Sequence, residues 1–201
     1  ESPEDVYAWD LDVANQVVSD LDMGGNAIEN AGSVKTEDTR TETIGAGQYL
    51  YAGDFDGADN DARLDNALAA ASEGSTIYLE RGDYNDVRNI STGRLNIIGV
   101  APDDSTANAT RIGGWTLSGT RQYISHVGVT SGTIQFTSGQ QEGHRLLIGS
   151  AASILISGNE VLLSHIGRNG SVTFESGTSN GEIGIVSGAV SVTDNGTNSI
   201  L

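Results

Sequence analysis

Cysteine is absent from the 201 residues, which excludes disulfides and thiolate metal centres and leaves the redox compartment open. Lysine is nearly absent: Lys35 stands alone, and the other nine of the ten basic residues are Arg. Phosphate recognition demands clustered Lys and Arg, so no nucleic-acid partner is expected. No run of about 18 apolar residues occurs, which leaves no transmembrane helix to expect. The start, Glu1-Ser2-Pro3-Glu4-Asp5, resembles neither a signal peptide nor an initiator segment and points to a processed or trimmed chain.

What is present is acid: 27 Asp and Glu against ten basic residues, a formal net charge of −17. In dilute buffer such a chain repels itself. Molar salt shortens the Debye length to roughly 3 Å, which makes a carpet of carboxylates tolerable and keeps the surface hydrated. The composition therefore points to a haloarchaeal source or a virus of such a host, with an ordinary acidic surface protein as the alternative. The acid is uneven, 22 of the 27 residues lying at or before Asp104.

Three stretches follow from this pattern. Residues 1–47 are polar, with Val6, Trp9, Leu11 and Val13 too scattered to form a core alone. Residues 48–201 are long enough for one sizeable core. Within them Leu64, Ala67, Leu68 and Ala71 recur at helical spacing, which predicts a capping helix over about 61–73, started by Asn60 or Asp61 and stopped by Gly74. Coils are predicted over about 75–201, beginning with the strand Ser75–Leu79, a turn at Arg81-Gly82-Asp83-Tyr84 and a strand over Leu95–Gly99.

From about Arg111 the chain is short strands punctuated by Gly, Ser and Asn. Ser138-Gly139, Ser157-Gly158, Ser176-Gly177 and Asn195-Gly196 recur at 19-residue steps, with Ser118-Gly119 twenty before the first, and Phe136, Leu155 and Phe174 keep the step. A period near 20 with two or three strands per repeat is the signature of a solenoid in which like strands stack. The fold class expected is all-β, a right-handed parallel β-helix with a short N-terminal capping helix and an extended fibre-like N-terminal segment. A β-sandwich ranks second, because its strands need not repeat turn residues at constant spacing.

The segment Asp54-Phe55-Asp56-Gly57-Ala58-Asp59-Asn60-Asp61, the helix after it, Gly74–Leu79 and Gly82-Asp83-Tyr84 resemble, over roughly residues 52 to 100, the N-terminal entry of pectate-lyase-like β-helix proteins. That family includes polysaccharide lyases, glycoside hydrolases and phage tailspikes, so the resemblance implies architecture more than chemistry. Leu21, Met23, Asn26, Ile28 and Gly32 resemble a motif of phage tail fibres. That second resemblance implies a homotrimeric attachment segment over residues 1–47 that joins other virion proteins.

Cleavage of a glycan requires two carboxylates about 5 to 9.5 Å apart. Glu175 and Asp194 lie 19 residues apart and would stack on adjacent coils about 4.8 Å apart, as a catalytic pair or as a solvated acidic ladder, the reading favoured here. Asp54, Asp56, Asp59 and Asp61 supply four carboxylates in eight residues, a candidate site for Ca2+ or another hard cation without the Gly and Glu placement of an EF-hand. No other cofactor is expected. His126 and His165, 39 residues apart in similar contexts, would lie two rungs apart, too far to share one metal, and His144 has no partner pattern. Arg81-Gly82-Asp83 spells an adhesion tripeptide that the turn already explains, and Asn89, Asn108, Asn169 and Asn195 head glycosylation sequons.

The function expected is a spike, tail-fibre or capsid-turret component on the virion surface of a haloarchaeal virus, attaching to a host-surface glycan or glycoprotein. The alternatives are a glycan-cleaving β-helix enzyme and a purely structural decoration protein. The closing Asn198-Ser199-Ile200-Leu201 carries no polar cap for a solenoid end, so more chain or another subunit is expected to cover it.

Overall fold

A computed structural model describes residues 42–44, 47–102, 108–184 and 186–197. They form a mostly β parallel solenoid of about six turns with a single α-helix. The segment carrying Leu21, Met23, Asn26 and Ile28 lies outside the described residues.

Strand β1 (Glu42–Ile44) runs antiparallel to β2 (Gly47–Tyr51), and a 3-10 turn (Ala52–Asp54) leads to α1 (Asn60–Ala70). One turn of the solenoid is β3 (Thr76–Tyr78), β4 (Gly82–Tyr84) and β5 (Arg88–Ile90); the next is β6 (Asn96–Ile98), β7 (Thr110–Ile112) and β8 (Trp115–Leu117). Two limbs then fuse into single bent strands, giving β9 (Tyr123–Val129) with β10 (Gly132–Phe136), β11 (Glu142–Ile148) with β12 (Ala152–Ile156), and β13 (Leu162–Arg168) with β14 (Ser171–Phe174). The last turn is β15 (Glu182–Ile183), β16 (Val186–Gly188) and β17 (Ser191–Asp194). The larger sheet runs β1-β2-β3-β6-β9-β11-β13-β15, and the smaller runs β17-β14-β12-β10-β8-β5. Since β2 already pairs in parallel with β3, the stack starts about one turn earlier than the predicted residue 75.

Inward side chains stack in register. Leu50, Ile77, Ile97 and Ile124 occupy one column on successive turns, and Leu163 and Ile183 continue it beyond Gly143. A Cβ at Gly143 would stand 3.2 Å from Phe136 Cζ and 2.8 Å from Leu163 Cδ2, so the missing side chain is what lets the Phe136 ring fit. A second column holds Ile90, Leu117, Phe136, Ile156 and Phe174, all buried. Each such side chain contributes about 1.5–3 kcal/mol of transfer free energy.

The bends come from left-handed residues. His126, Arg145 and His165, at φ 56°, 51° and 56°, sit inside β9, β11 and β13, so that Ile124 and Val127 both face the core although they are three residues apart. A second left-handed ladder, Arg94, Arg121, Gln140, Glu160 and Asn180, turns the corner into each strand of the larger sheet. Behind that corner the buried Gln122 amide donates to the carbonyls of Ile90 and Thr92. The buried Gln141 amide donates to those of Leu117 and Gly119 and to Gln122 Oε1, and its own oxygen accepts from Ser138 N–H. These glutamines satisfy turn backbone that faces away from water.

Several sequence expectations shift. The helix spans Asn60–Ala70 rather than 61–73, because Ala71 is already extended at φ −71°, ψ 138°; Gly74, at φ 88°, serves the turn before β3. Asp59 is the N-cap, accepting from Ala62 N–H at 2.9 Å, which leaves Asp61 for another task. Leu64 and Ala67 are buried as the stripe required, with Leu68 and Ala71 packed against the core. Gly82–Tyr84 is a strand, β4, paired with β7, and not a turn. The steps in the smaller sheet are uneven: Leu117 pairs with Phe136, Phe136 with Ile156 and Ile156 with Phe174. Leu155 therefore leaves the Phe136 and Phe174 column and alternates to the outer face, the turns having absorbed a residue that constant spacing ignores.

Candidate binding face

The outer surface of the larger sheet gathers rings. One outward column is Tyr49, Thr76, Asn96, Tyr123, Glu142 and Leu162; the next is Tyr51, Tyr78, Ile98, Ser125, His144 and Ser164. Of the six tyrosines in the chain, four stand here. Tyr51 and Tyr78 stack with centroids 5.1 Å apart at 17°, and Tyr49 stacks on Tyr78 at 6.4 Å and 19°. Tyr49 and Tyr51 keep 42% and 54% of their surface exposed, which is where aromatic rings on a monomer are least expected.

Beside Tyr123 lies a cleft of about 540 Å3 lined by Asn96, Arg121, Gln122, Tyr123, Gln140 and Glu142. The column supplies Asn96, Tyr123 and Glu142; the left-handed corner supplies Arg121 and Gln140, whose Nε-to-Oε1 hydrogen bond is 2.6 Å. One ring face, a guanidinium, a carboxylate and amides converge, within the size range of small-molecule sites. This set was not read from the sequence. Its signal was the polar residue at 121, 140, 160 and 180, recurring one position before each inward residue of the corner.

Farther along the same face, His126, His144 and His165 form a row, with ring centroids 5.9 Å apart for the first pair and 4.9 Å for the second. His126 and His165 do lie two turns apart, as their spacing required, and His144 stands between them, a placement its sequence context did not show. The bend column is His126, Arg145, His165, so that His144 falls one residue earlier, opposite Ser125 and Ser164. His144 Nδ1 lies 2.6 Å from Ser164 Oγ, and Arg145 Nη1 lies 3.4 Å from His126 Nε2. Burial, then the Arg145 charge, lowers the His126 pKa; burial, then His165, Arg145 and His126, lowers that of His144.

The acidic loop is dispersed. Asp59 caps the helix, and Asp61 accepts from Arg88 Nη1 at 2.7 Å and from the backbone N–H groups of Asn85 and Asp86. Asp54 and Asp56 are exposed, and the Asp56 carbonyl accepts from Asn66. No group of three or more His, Asp or Glu side chains among the described residues is arranged to hold a metal ion. Asp194 pairs with Phe174, one position out of register with Glu175; the cleft of about 520 Å3 at that place is lined by Thr173, Glu175, Ser176 and Asn195. Asp83 of the adhesion-like tripeptide is engaged by Arg111, Nη2 to Oδ2 at 2.7 Å, and all four sequon asparagines are exposed. No helix among the described residues is long and apolar enough to cross a membrane.

In comparisons with known proteins, the chain matches no family model, no curated protein and no solved structure.

Proposed function

We propose that the chain is a rigid stalk of a virion surface spike, and that the ring-bearing face of its larger sheet binds a host-surface glycan without cleaving it. The observation that carries binding is the cleft at Tyr123, where an aromatic ring is surrounded by Arg121, Asn96, Gln140 and Glu142. Sugars present an apolar ring face edged by hydroxyls. A tyrosine face with donors and acceptors around it meets both, and the stacked Tyr49, Tyr51 and Tyr78 extend the platform along the solenoid axis.

Binding is favoured over hydrolysis by the carboxylate count. Among the described residues, Glu142 alone of Asp and Glu lines the first cleft and Glu175 alone lines the second, whereas glycoside hydrolysis takes a pair. The spike reading, the halophilic host and the trimer rest on the acidic composition and on the fibre-like residues Leu21, Met23, Asn26 and Ile28.

The test is binding of the full chain in molar NaCl to host-envelope polysaccharide fractions, with Tyr123→Ala beside the wild type. Truncating a central aromatic anchor weakens binding about tenfold or more, with the unfolding midpoint nearly unchanged because Tyr123 is outward. Equal retention of wild type and variant would sink the assignment of this cleft. Release of reducing sugar ends would overturn binding without cleavage.

A further inference from the structure

The row of three imidazoles is not needed by a glycan cleft centred on Tyr123. Its geometry separates two of its members from the third. His144 and His165 have centroids 4.9 Å apart with planes crossed at 70°. Two ring nitrogens each about 2.0–2.1 Å from a common ion put their ring centroids roughly 5 Å apart. The contact is edge-on and not face to face, so a modest rotation of the exposed His165 ring is what would bring a nitrogen of each to one ion.

We propose that His144 and His165 form a two-imidazole site for a divalent transition-metal ion of the Zn2+, Ni2+ or Cu2+ class, its remaining positions held by water and open toward the binding face.

The hydrogen bond between His144 Nδ1 and Ser164 Oγ, 2.6 Å, engages one ring nitrogen and leaves Nε2 for the ion, the kind of outer-shell support that histidine ligands use. His165 is exposed and His144 half-exposed, so an ion reaches them without any rearrangement of the core. His126 belongs to the row but not to the site: it is 5.9 Å from His144 on the side away from His165, and its Nε2 is already faced by Arg145 Nη1 at 3.4 Å. An all-nitrogen ligand pair selects against Ca2+ and Mg2+, which take oxygen. Imidazole ligates in its neutral form, so Zn2+ uptake should weaken as pH falls. Glu142, outward two residues before His144, lines the neighbouring cleft.

The experiment is calorimetric titration of Zn2+ alone into the full chain in molar NaCl near neutral pH, repeated with Ca2+ and with single variants. One Zn2+ per chain is expected at this site. His144→Ala and His165→Ala each remove that binding step, Ser164→Ala weakens it about tenfold, and His126→Ala leaves it unchanged. In parallel, Cu2+ should broaden the NMR ring signals of His144 and His165 before those of His126, a readout that does not depend on variants folding. No Zn2+ uptake, uptake that survives His144→Ala, loss of uptake in His126→Ala, displacement of the bound Zn2+ by Ca2+, or broadening of His126 first would each overturn the site.

Discussion

Arg88 at the start of β5 and Asp61 in the first turn of α1, 27 residues apart in the chain, meet at 2.7 Å, Nη1 to Oδ1. The same guanidinium reaches Asp65 through Nε at 2.7 Å and donates from Nη2 to the Asp61 carbonyl at 2.9 Å. Arg88 is paired with Trp115 in the ladder, so it occupies an inward position that Trp115 fills one turn later, and its guanidinium stands 5.8 Å from that ring. A charge in a core column is tolerated only because the helix brings carboxylates to it. The capping helix and the solenoid are thus joined by one buried cation.

Arg88→Met should therefore destabilise the domain although it keeps volume and apolar contact with Trp115. Removing one partner of a buried pair costs about 3–5 kcal/mol, and the lower end is expected because Asp65 is largely exposed. Urea unfolding of wild type and variant measures this. Amide exchange should show α1 losing protection before the strands, and equal stability would mean that the helix is held by Leu64 and Ala67 alone.

Asp61 gives this junction a pH dependence. Burial pushes its pKa up, but the hydrogen bonds from Arg88 and from the Asp86 and Asn85 amides outweigh it, and the net shift is downward from 3.8. A depressed carboxylate contributes stability that is present above the unfolded value and lost as pH falls through the folded one. Asp61→Asn should thus be less stable than wild type at neutral pH, and the gap should narrow as pH drops below about 4. A gap that stays constant down to pH of about 2 would refute the linkage.

The sequence announced the solenoid because its period survives in the turns, and it announced α1 because four apolar residues fall on one face. Register was another matter. Paired residues advance by 19, 20 or 18 positions, Leu117 to Phe136, Phe136 to Ile156, Ile156 to Phe174, and a constant step read from Ser-Gly turns slips by one. That slip kept Leu155 in step with Phe136 and Phe174 and set Asp194 against Glu175 instead of Phe174. The bends at His126, Arg145 and His165 break the two-residue alternation within a strand, which hid the outward columns and so the face that Tyr51, Tyr78 and His144 share. A period locates turns; only backbone geometry assigns faces.

The corner glutamines carry a sharper prediction. Gln141→Leu has similar volume and removes every hydrogen bond the amide makes: Ser138 N–H and the Gly119 carbonyl lose the partner it gave them, while the Leu117 carbonyl keeps Thr137 N–H and Gln122 Oε1 keeps Gly119 N–H. Each buried polar group left unpaired costs about 1–3 kcal/mol, so a loss of at least 2 kcal/mol is expected, about the smallest sum that two such groups give. Denaturant midpoints of Gln141→Leu and Gln141→Ala separate the causes. If the leucine variant were as stable as wild type, the corner would be held by its left-handed backbone and not by the amide.

Tyr84 tests the other end of the pH scale. Its side chain is buried beside α1, and its hydroxyl oxygen accepts the Glu80 N–H at 3.0 Å. Burial, with the Glu80 carboxylate adding to it, pushes the phenol pKa up from 10.0 to about 12, against the opposing pull of that hydrogen bond. The folded state therefore holds the proton longer than the unfolded chain does. The stability that follows is complete below the unfolded value and is lost as pH rises through the folded one, between about 10 and 12. Tyr84→Phe cannot ionise. At neutral pH it should be less stable by about 1 kcal/mol, because Glu80 N–H loses its acceptor. As the wild type weakens through the alkaline window the two unfolding curves should approach each other, since the variant lacks the proton that the wild type loses. Parallel decline of both proteins across that window would assign the alkaline transition to another group and would remove Tyr84 from the pH linkage.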